Sequence, residues 1–135
     1  MNRGNDPAGA LNHQIKLNLE QQDNKAKIEA ISTIVGLDPA WTTAVGMVES
    51  SLGIHQKSPT GCRGVFQMSG IAMKDLLQMM ARNDDDWADI LCGVAFLHLL
   101  LQRHGSIEAA TNKYCDPNDR GFYWTKVRKY MEVML

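Results

Sequence analysis

Apolar residues recur along this chain at the spacing of helices, and helix-ending residues stand between the periodic segments. An amphipathic helix is predicted from Lys25, and Gly36 stops it. Its apolar positions are Ile28, Ile31, Ile34 and Val35. Asp38 is a suitable N-cap and Pro39 suits the first helical position, so a second helix is predicted to start there. Its buried face is predicted to comprise Trp41, Ala44, Val45 and Val48.

The most hydrophobic helix is predicted to follow the turn at residues 83–86 and to end at Gly105. Its apolar positions cover much of its circumference and predict a central place in the fold: Trp87, Ile90, Leu91, Val94, Leu97, Leu100 and Leu101. Further helices are predicted from about Gly64 to Met80, over residues 107–113, and from about Gly121 to Val133. Strand patterns are nearly absent, so the chain is expected to be all-α, with about six to seven helices.

Length and composition describe one globular domain. A chain of 135 residues can bury a core without disulfide bonds, and 44% hydrophobic with 21% charged residues is typical of soluble proteins. Residues 1–23 are rich in Asn, Gln and Gly and are predicted to form a polar tail or short helix, with the folded domain over 24–135. A formal net charge of −1 gives no electrostatic reason to expect nucleic acid as a partner.

The cysteines and the apolar segments indicate the cellular compartment in which the protein is made. The three cysteines, Cys62, Cys92 and Cys115, are expected to be free thiols made in a reducing compartment. Their wide spacing matches no zinc pattern, and the histidines show no helical metal-ligand pair. No signal peptide is expected, because the first 20 residues lack an apolar segment. The longest apolar stretch, residues 90–101, falls short of the roughly twenty residues that cross a bilayer, so no membrane insertion is expected.

Glu49 carries the candidate chemistry. It ends the apolar run of residues 41–48, where a lone carboxylate is by default solvated or salt-bridged. A distinctive motif begins nine residues later and reverses that default. The motif reads Ser58-Pro59-Thr60-Gly61-Cys62-Arg63-Gly64-Val65-Phe66-Gln67.

This pairing resembles the catalytic core of the lytic transglycosylases, lysozyme-like enzymes that cut the glycan strands of bacterial peptidoglycan. The resemblance covers about residues 37–130 and implies a lysozyme-like domain. Its specific part consists of Glu49-Ser50, Ser58-Pro59, Gly61, Gly64 and Val65-Phe66-Gln67. The family's sugar-binding Ala-x-Tyr-Asn-Ala-Gly segment is similar to Ala109-Ala110-Thr111-Asn112-Lys113, with threonine in place of tyrosine. The family's C-terminal Tyr-Val pair is similar to Tyr123-Trp124.

The resemblance implies that Glu49 acts first as an acid and then as a base. It would protonate the oxygen between N-acetylmuramic acid and N-acetylglucosamine, while the muramic acid's 6-hydroxyl attacks the anomeric carbon and leaves a 1,6-anhydro product. Such an acid must stay protonated near neutral pH, above the ordinary glutamate pKa of about 4.3. Apolar neighbours and the helix C-terminus both favour the neutral form. No cofactor or metal is implied. The substrate-binding residues are expected to be Ser50, Ser58, Gly61, Gly64, Gln67, Asn112 and Tyr123. Among them, Tyr123 is expected to orient Glu49 through its hydroxyl.

Two other functions stay open. A muramidase would use water and a second carboxylate. Its candidates by residue type are Asp75, Asp89, Glu108, Asp116 and Asp119, although solvated or capping roles are favoured for each. A non-catalytic wall-binding or virion module would keep the fold alone.

The expected setting follows from the lack of an export signal. A bacteriophage origin is the simplest setting. The protein is then expected to be made in the host cytoplasm, to associate with the virion and to act in the periplasm or cell wall. The expected partners are peptidoglycan strands and other phage tail or virion proteins. A conjugation or secretion apparatus is a further option.

Overall fold

A computed structural model describes residues 16–54, 64–67, 86–115, 118 and 121–133. These residues form five helices and no strand, which confirms the all-α prediction for the described part of the chain. The helices are α1 (Leu19–Val35), α2 (Pro39–Ser50), α3 (Asp86–His104), α4 (Ile107–Tyr114) and α5 (Phe122–Val133). Five helices are thus present in the described ranges, where six to seven were predicted for the whole chain. The helix predicted from about Gly64 begins instead as a turn over residues 64–67, and the rest of that prediction lies outside the described residues.

The helix ends follow the local signals of the sequence. Gly36 ends α1 in the left-handed conformation with φ 80°. Asp38 caps α2 by accepting from the backbone N–H of Ala40 at 3.0 Å. The start of α1 differs from the prediction, because Asn18 and Gln21 form a reciprocal capping box that begins the helix at Leu19.

Contacts among the five helices close a ring around the core. Helix α1 packs on α2 and α3, α4 packs on α3 and α5, and the most extensive contact joins α2 to α5. The largest fully buried side chains include Trp41, Phe66, Ile28, Leu52, Ile90 and Leu97. This arrangement places the C-terminal end of α2 against α5. Within the described ranges, no helix has the length and hydropathy required to cross a membrane.

One core prediction on α3 is wrong. Trp87 was expected in the buried face of this helix, but it is 49% exposed. Trp87 lies in the first turn, and the ammonium group of Lys27 from α1 lies 5.6 Å from its ring centroid. The Lys27 ammonium therefore lies over one side of an indole that is half exposed.

Cys92 and Cys115 are thiols without a disulfide, as the sequence predicts, and the structure shows that both are buried. Burial, and secondly the charge of Asp89, raise the pKa of the Cys92 thiol. Cys62 lies outside the described residues.

Candidate active site

Glu49 is the penultimate residue of α2, and its side chain is half-buried. The chain leaves the helix through two consecutive left-handed residues, Ser51 at φ 51° and Leu52 at φ 55°. Helix α1 supports both of them. Gln21 donates through Nε2 to the carbonyl of Ser51 at 3.0 Å, and Asn24 donates through Nδ2 to the carbonyl of Leu52 at 2.9 Å. Because side chains disfavour left-handed backbone, these bonds help to fix the helix end that carries Glu49.

Tyr123 provides the direct partner of Glu49. Its phenol donates a hydrogen bond to Oε2 of the carboxylate. Tyr123 lies in the first turn of α5 and is 7% exposed. Burial, followed by the charge of Glu49, raises the pKa of Tyr123 well above its ordinary value, so the phenol stays protonated at neutral pH. The hydrogen bond predicted between these two residues is therefore present, and the packing of α2 against α5 accounts for it.

Ser50 points into the protein. It is 1% exposed, and its hydroxyl donates to the carbonyl of Val65 at 2.6 Å. The same hydroxyl accepts from the N–H of Gly53 at 2.9 Å. The bond to Val65 joins the end of α2 to the turn at residues 64–67. The sequence assigned Ser50 to substrate binding, but its burial leaves no surface for a sugar, so we correct its role to a structural one.

Gly64 makes room for a carboxylate of α3. It has φ 84°, and a Cβ at this position would lie 2.1 Å from Oδ1 of Asp89. Asp89 is 8% exposed and accepts through Oδ2 from the N–H of Val65 at 2.8 Å. The prediction that Gly64 contacts substrate is corrected, since the space beside it holds Asp89. The solvated or capping role favoured for Asp89 was also wrong, because its carboxylate fixes the turn.

Gln67 ends the same turn in the left-handed conformation, with φ 51°, and is partly exposed. Its Nε2 donates to the carbonyl of Gly64 at 2.8 Å. The preceding Phe66 is fully buried, and a Cβ on Gly93 would lie 2.4 Å from its ring. The phenol of Tyr114, at the end of α4, donates to the carbonyl of Phe66. Residues from α2, α3 and α4 thus hold this short turn.

The segment on α4 that the family resemblance assigns to sugar binding is partly built into the core. Thr111, in the position of the family's tyrosine, is fully buried and accepts from Trp41 Nε1 at 2.8 Å. Asn112 is half-buried on the same helix, and its carbonyl accepts from the thiol of Cys115 at 3.4 Å. Thr111 therefore joins α4 to α2.

The side chains of this chain are the basis for interpreting the site. Comparisons with protein-family models, curated proteins and solved structures found no match. The structure brings Tyr123 directly onto Glu49, and it links Ser50 to the turn that ends at Gln67. Two predicted contacts, Ser58 and Gly61, lie outside the described residues.

This geometry suits proton transfer. A half-buried carboxylate that accepts a hydrogen bond from a protonated phenol is a group that can give or take a proton. In the part of the chain that the structure describes, no group of three or more His, Cys, Asp or Glu residues could hold a metal ion.

Proposed function

We propose that this protein is a lytic transglycosylase that cleaves the glycan strands of peptidoglycan, with Glu49 as its catalytic acid and base. The observation that carries the proposal is the hydrogen bond from the buried Tyr123 phenol to the half-buried Glu49 carboxylate. Support also comes from the sequence, since Glu49-Ser50 and the motif ending at Gln67 are the most specific part of the family resemblance. The same resemblance is our reason to propose a lysozyme-like arrangement of the helices.

In the proposed reaction, Glu49 donates one proton to the glycan and then receives one proton back from it. Glu49, protonated at Oε1, gives its proton to the oxygen that joins N-acetylmuramic acid to N-acetylglucosamine, and the bond from C1 to that oxygen breaks. The 6-hydroxyl of the same muramic acid attacks C1 and closes the 1,6-anhydro ring. Its proton returns to Glu49, so no water is consumed and the enzyme is restored. Tyr123 holds Oε2 through both steps.

Opposing influences on Glu49 suit a group that must alternate between two protonation states. The negative end of the α2 dipole and partial burial disfavour the anion. The hydrogen bond from Tyr123 stabilises the anion that forms when the proton leaves. Tyr123 therefore acts as an orienting donor that also limits the cost of the first step.

A muramidase would need a second carboxylate, and the structure describes two of the candidates for it. Asp89 is 8% exposed and uses Oδ2 to hold the N–H of Val65. Glu108 is exposed in the first turn of α4. Neither placement suits a carboxylate that must activate water beside a sugar. The other candidates, Asp75, Asp116 and Asp119, lie outside the described residues.

We propose a bacteriophage virion as the setting, with peptidoglycan as substrate and neighbouring tail or virion proteins as partners. The buried free thiols of Cys92 and Cys115 support synthesis in a reducing cytoplasm.

The test of the enzyme proposal is Glu49→Gln, which keeps the size of the side chain and removes its titrating proton. We expect the wild type to clear a suspension of purified peptidoglycan and the variant to lose this activity, because the amide cannot act as the acid. Glu108→Gln is the matched control and should keep full activity. Circular dichroism should show the same helix content in all three proteins.

Each other outcome has a separate meaning. Equal clearing by Glu49→Gln would refute the assigned acid. Mass spectrometry of the digest should show 1,6-anhydro ends, and reducing ends in their place would establish a muramidase. No clearing by the wild type would refute the enzyme proposal and favour a non-catalytic module.

A further inference from the structure

We propose that Tyr114 is a positioning residue that sets Gln67 against the glycan strand, an inference that rests on the proposed function. Tyr114 is the last residue of α4, and its phenol donates to the carbonyl of Phe66, immediately before Gln67. Its ring packs on Phe96 of α3, with centroids 5.7 Å apart and planes inclined by 51°. Tyr114 thus ties the exposed end of the turn at residues 64–67 to the helical core.

The other end of this turn is already fixed by different residues. Val65 is held on both sides of its backbone, since its N–H donates to Asp89 at 2.8 Å and its carbonyl accepts from Ser50 at 2.6 Å. These bonds do not set the orientation of the next peptide, which joins Phe66 to Gln67. Tyr114 holds that peptide by its oxygen.

The conformation of Gln67 makes this restraint matter. Its φ of 51° lies in the left-handed region, which a residue with a side chain occupies only where its surroundings enforce it. Two bonds to the carbonyl of Gly64 also contribute, one from the Gln67 backbone N–H at 3.2 Å and one from Nε2 at 2.8 Å. Rotation of the peptide between Phe66 and Gln67 would relieve the unfavourable φ and turn the Gln67 side chain away from its present direction.

The chemistry of Gln67 links this restraint to substrate. A carboxamide offers both a donor and an acceptor, which match the carbonyl and N–H of a sugar's N-acetyl group. Gln67 is partly exposed at the end of the turn that Ser50 joins to the Glu49 helix end. Tyr114 would therefore act on the N-acetyl group through Gln67 without touching the sugar.

The experiment measures binding by calorimetry in a Glu49→Gln background, so that no cleavage intervenes. The probes are the tetramer of N-acetylglucosamine and its fully deacetylated counterpart. Tyr114→Phe removes the hydroxyl and keeps the ring on Phe96. We expect it to weaken binding of the acetylated tetramer about tenfold, as for the loss of one hydrogen bond. Binding of the deacetylated tetramer should be unchanged. Tyr130→Phe on α5 is the control and should change neither.

A second variant separates positioning through Gln67 from a general loss of structure. If Tyr114 acts through Gln67, Tyr114→Phe should weaken binding no further once Gln67→Ala is present. The inference would be overturned if the affinity losses of Tyr114→Phe and Gln67→Ala multiplied in the double variant. It would also be overturned if Tyr114→Phe weakened binding of both tetramers equally, or left binding unchanged. Hydrogen exchange at the Gln67 amide should also quicken in Tyr114→Phe, and unchanged exchange would contradict the restraint even if the variant bound poorly.

The outcomes distinguish this inference from the proposed function. If the acetylated tetramer binds and the variants behave as stated while the wild type leaves peptidoglycan intact, the enzyme proposal fails and the role of Tyr114 stands. If the wild type cleaves peptidoglycan and Tyr114→Phe binds both tetramers normally, the role of Tyr114 fails alone. Absence of binding to either tetramer by the parent protein overturns the inference.

Discussion

Ser50→Ala gives the sharpest test of how the candidate site is built. The substitution removes one oxygen whose two short bonds are to buried backbone groups, the carbonyl of Val65 at 2.6 Å and the N–H of Gly53 at 2.9 Å. The carbonyl of Gly46 lies farther away, at 3.4 Å. Each buried group that loses its partner costs about 1–3 kcal/mol. Alanine is the better helix former at the end of α2 and returns about 0.5 kcal/mol. Two such losses cost about 2–6 kcal/mol, so we expect the free energy of unfolding to fall by about 1.5–5.5 kcal/mol after this gain.

Urea unfolding followed by tryptophan fluorescence and by circular dichroism measures this loss. The transition midpoint should fall while the m-value stays constant, because the surface exposed on unfolding is unchanged. Thr33→Ala is the control, since its hydroxyl bonds to the carbonyl of Glu29 at 2.8 Å on the exposed side of α1. Loss of that exposed bond should change stability by about 0.5 kcal/mol or less.

The two roles considered for Ser50 give opposite results. A structural Ser50 makes the variant less stable, while binding of an acetylated sugar by the folded fraction changes little. A Ser50 that contacts sugar leaves the stability unchanged and weakens binding. A loss of stability below about 0.5 kcal/mol would refute the structural assignment, because no buried hydrogen-bond pair would then have been broken.

Two further predictions concern backbone strain and alkaline pH. Gly64→Ala should lower the free energy of unfolding by roughly 2–5 kcal/mol, because of the left-handed φ and the clash with Asp89. Gly105→Ala is the control and should cost about 1–2 kcal/mol, because its φ is 82° and nothing lies within 4 Å of the added Cβ. Equal losses of the two variants in thermal unfolding would contradict the clash. Since the folded-state pKa of Tyr123 is raised, its contribution to stability is complete below pH about 10 and falls above it by up to about 1.4 kcal/mol per pH unit. Tyr123→Phe should therefore lose stability less steeply above that pH than the wild type and Tyr130→Phe, and parallel curves for all three would refute this.

Helix ends were predictable because their signals are local. Asp38 and Pro39 start α2, and Gly36 and Gly105 end α1 and α3, by interactions within a few residues of the chain. The beginning of α1 was missed although its capping box is also local, since the pattern from Lys25 onward was the stronger periodic signal.

The roles of Ser50, Gly64 and Asp89 could not be predicted because they depend on contacts between distant parts of the chain. Ser50 bonds to a carbonyl 15 residues away, and Asp89 to an N–H 24 residues away. One signal was nevertheless present. Asp89 lies four residues before Gly93, on the side of α3 against which the turn at residues 64–67 packs. An acidic residue on the buried side of an apolar helix requires a partner, and a glycine-containing turn can supply backbone N–H donors.

The corrected roles also change what the family resemblance can support. Ser50 and Gly64 have structural reasons to be serine and glycine, because one bonds Val65 and the other admits Asp89. Their presence therefore argues for this local geometry more than for catalysis. Tyr123 differs, since phenylalanine would fill the same buried position without the cost of desolvating a hydroxyl and a carboxylate. A pair that packing alone would replace with apolar groups needs another reason to exist, and the proton transfer proposed for Glu49 would supply one.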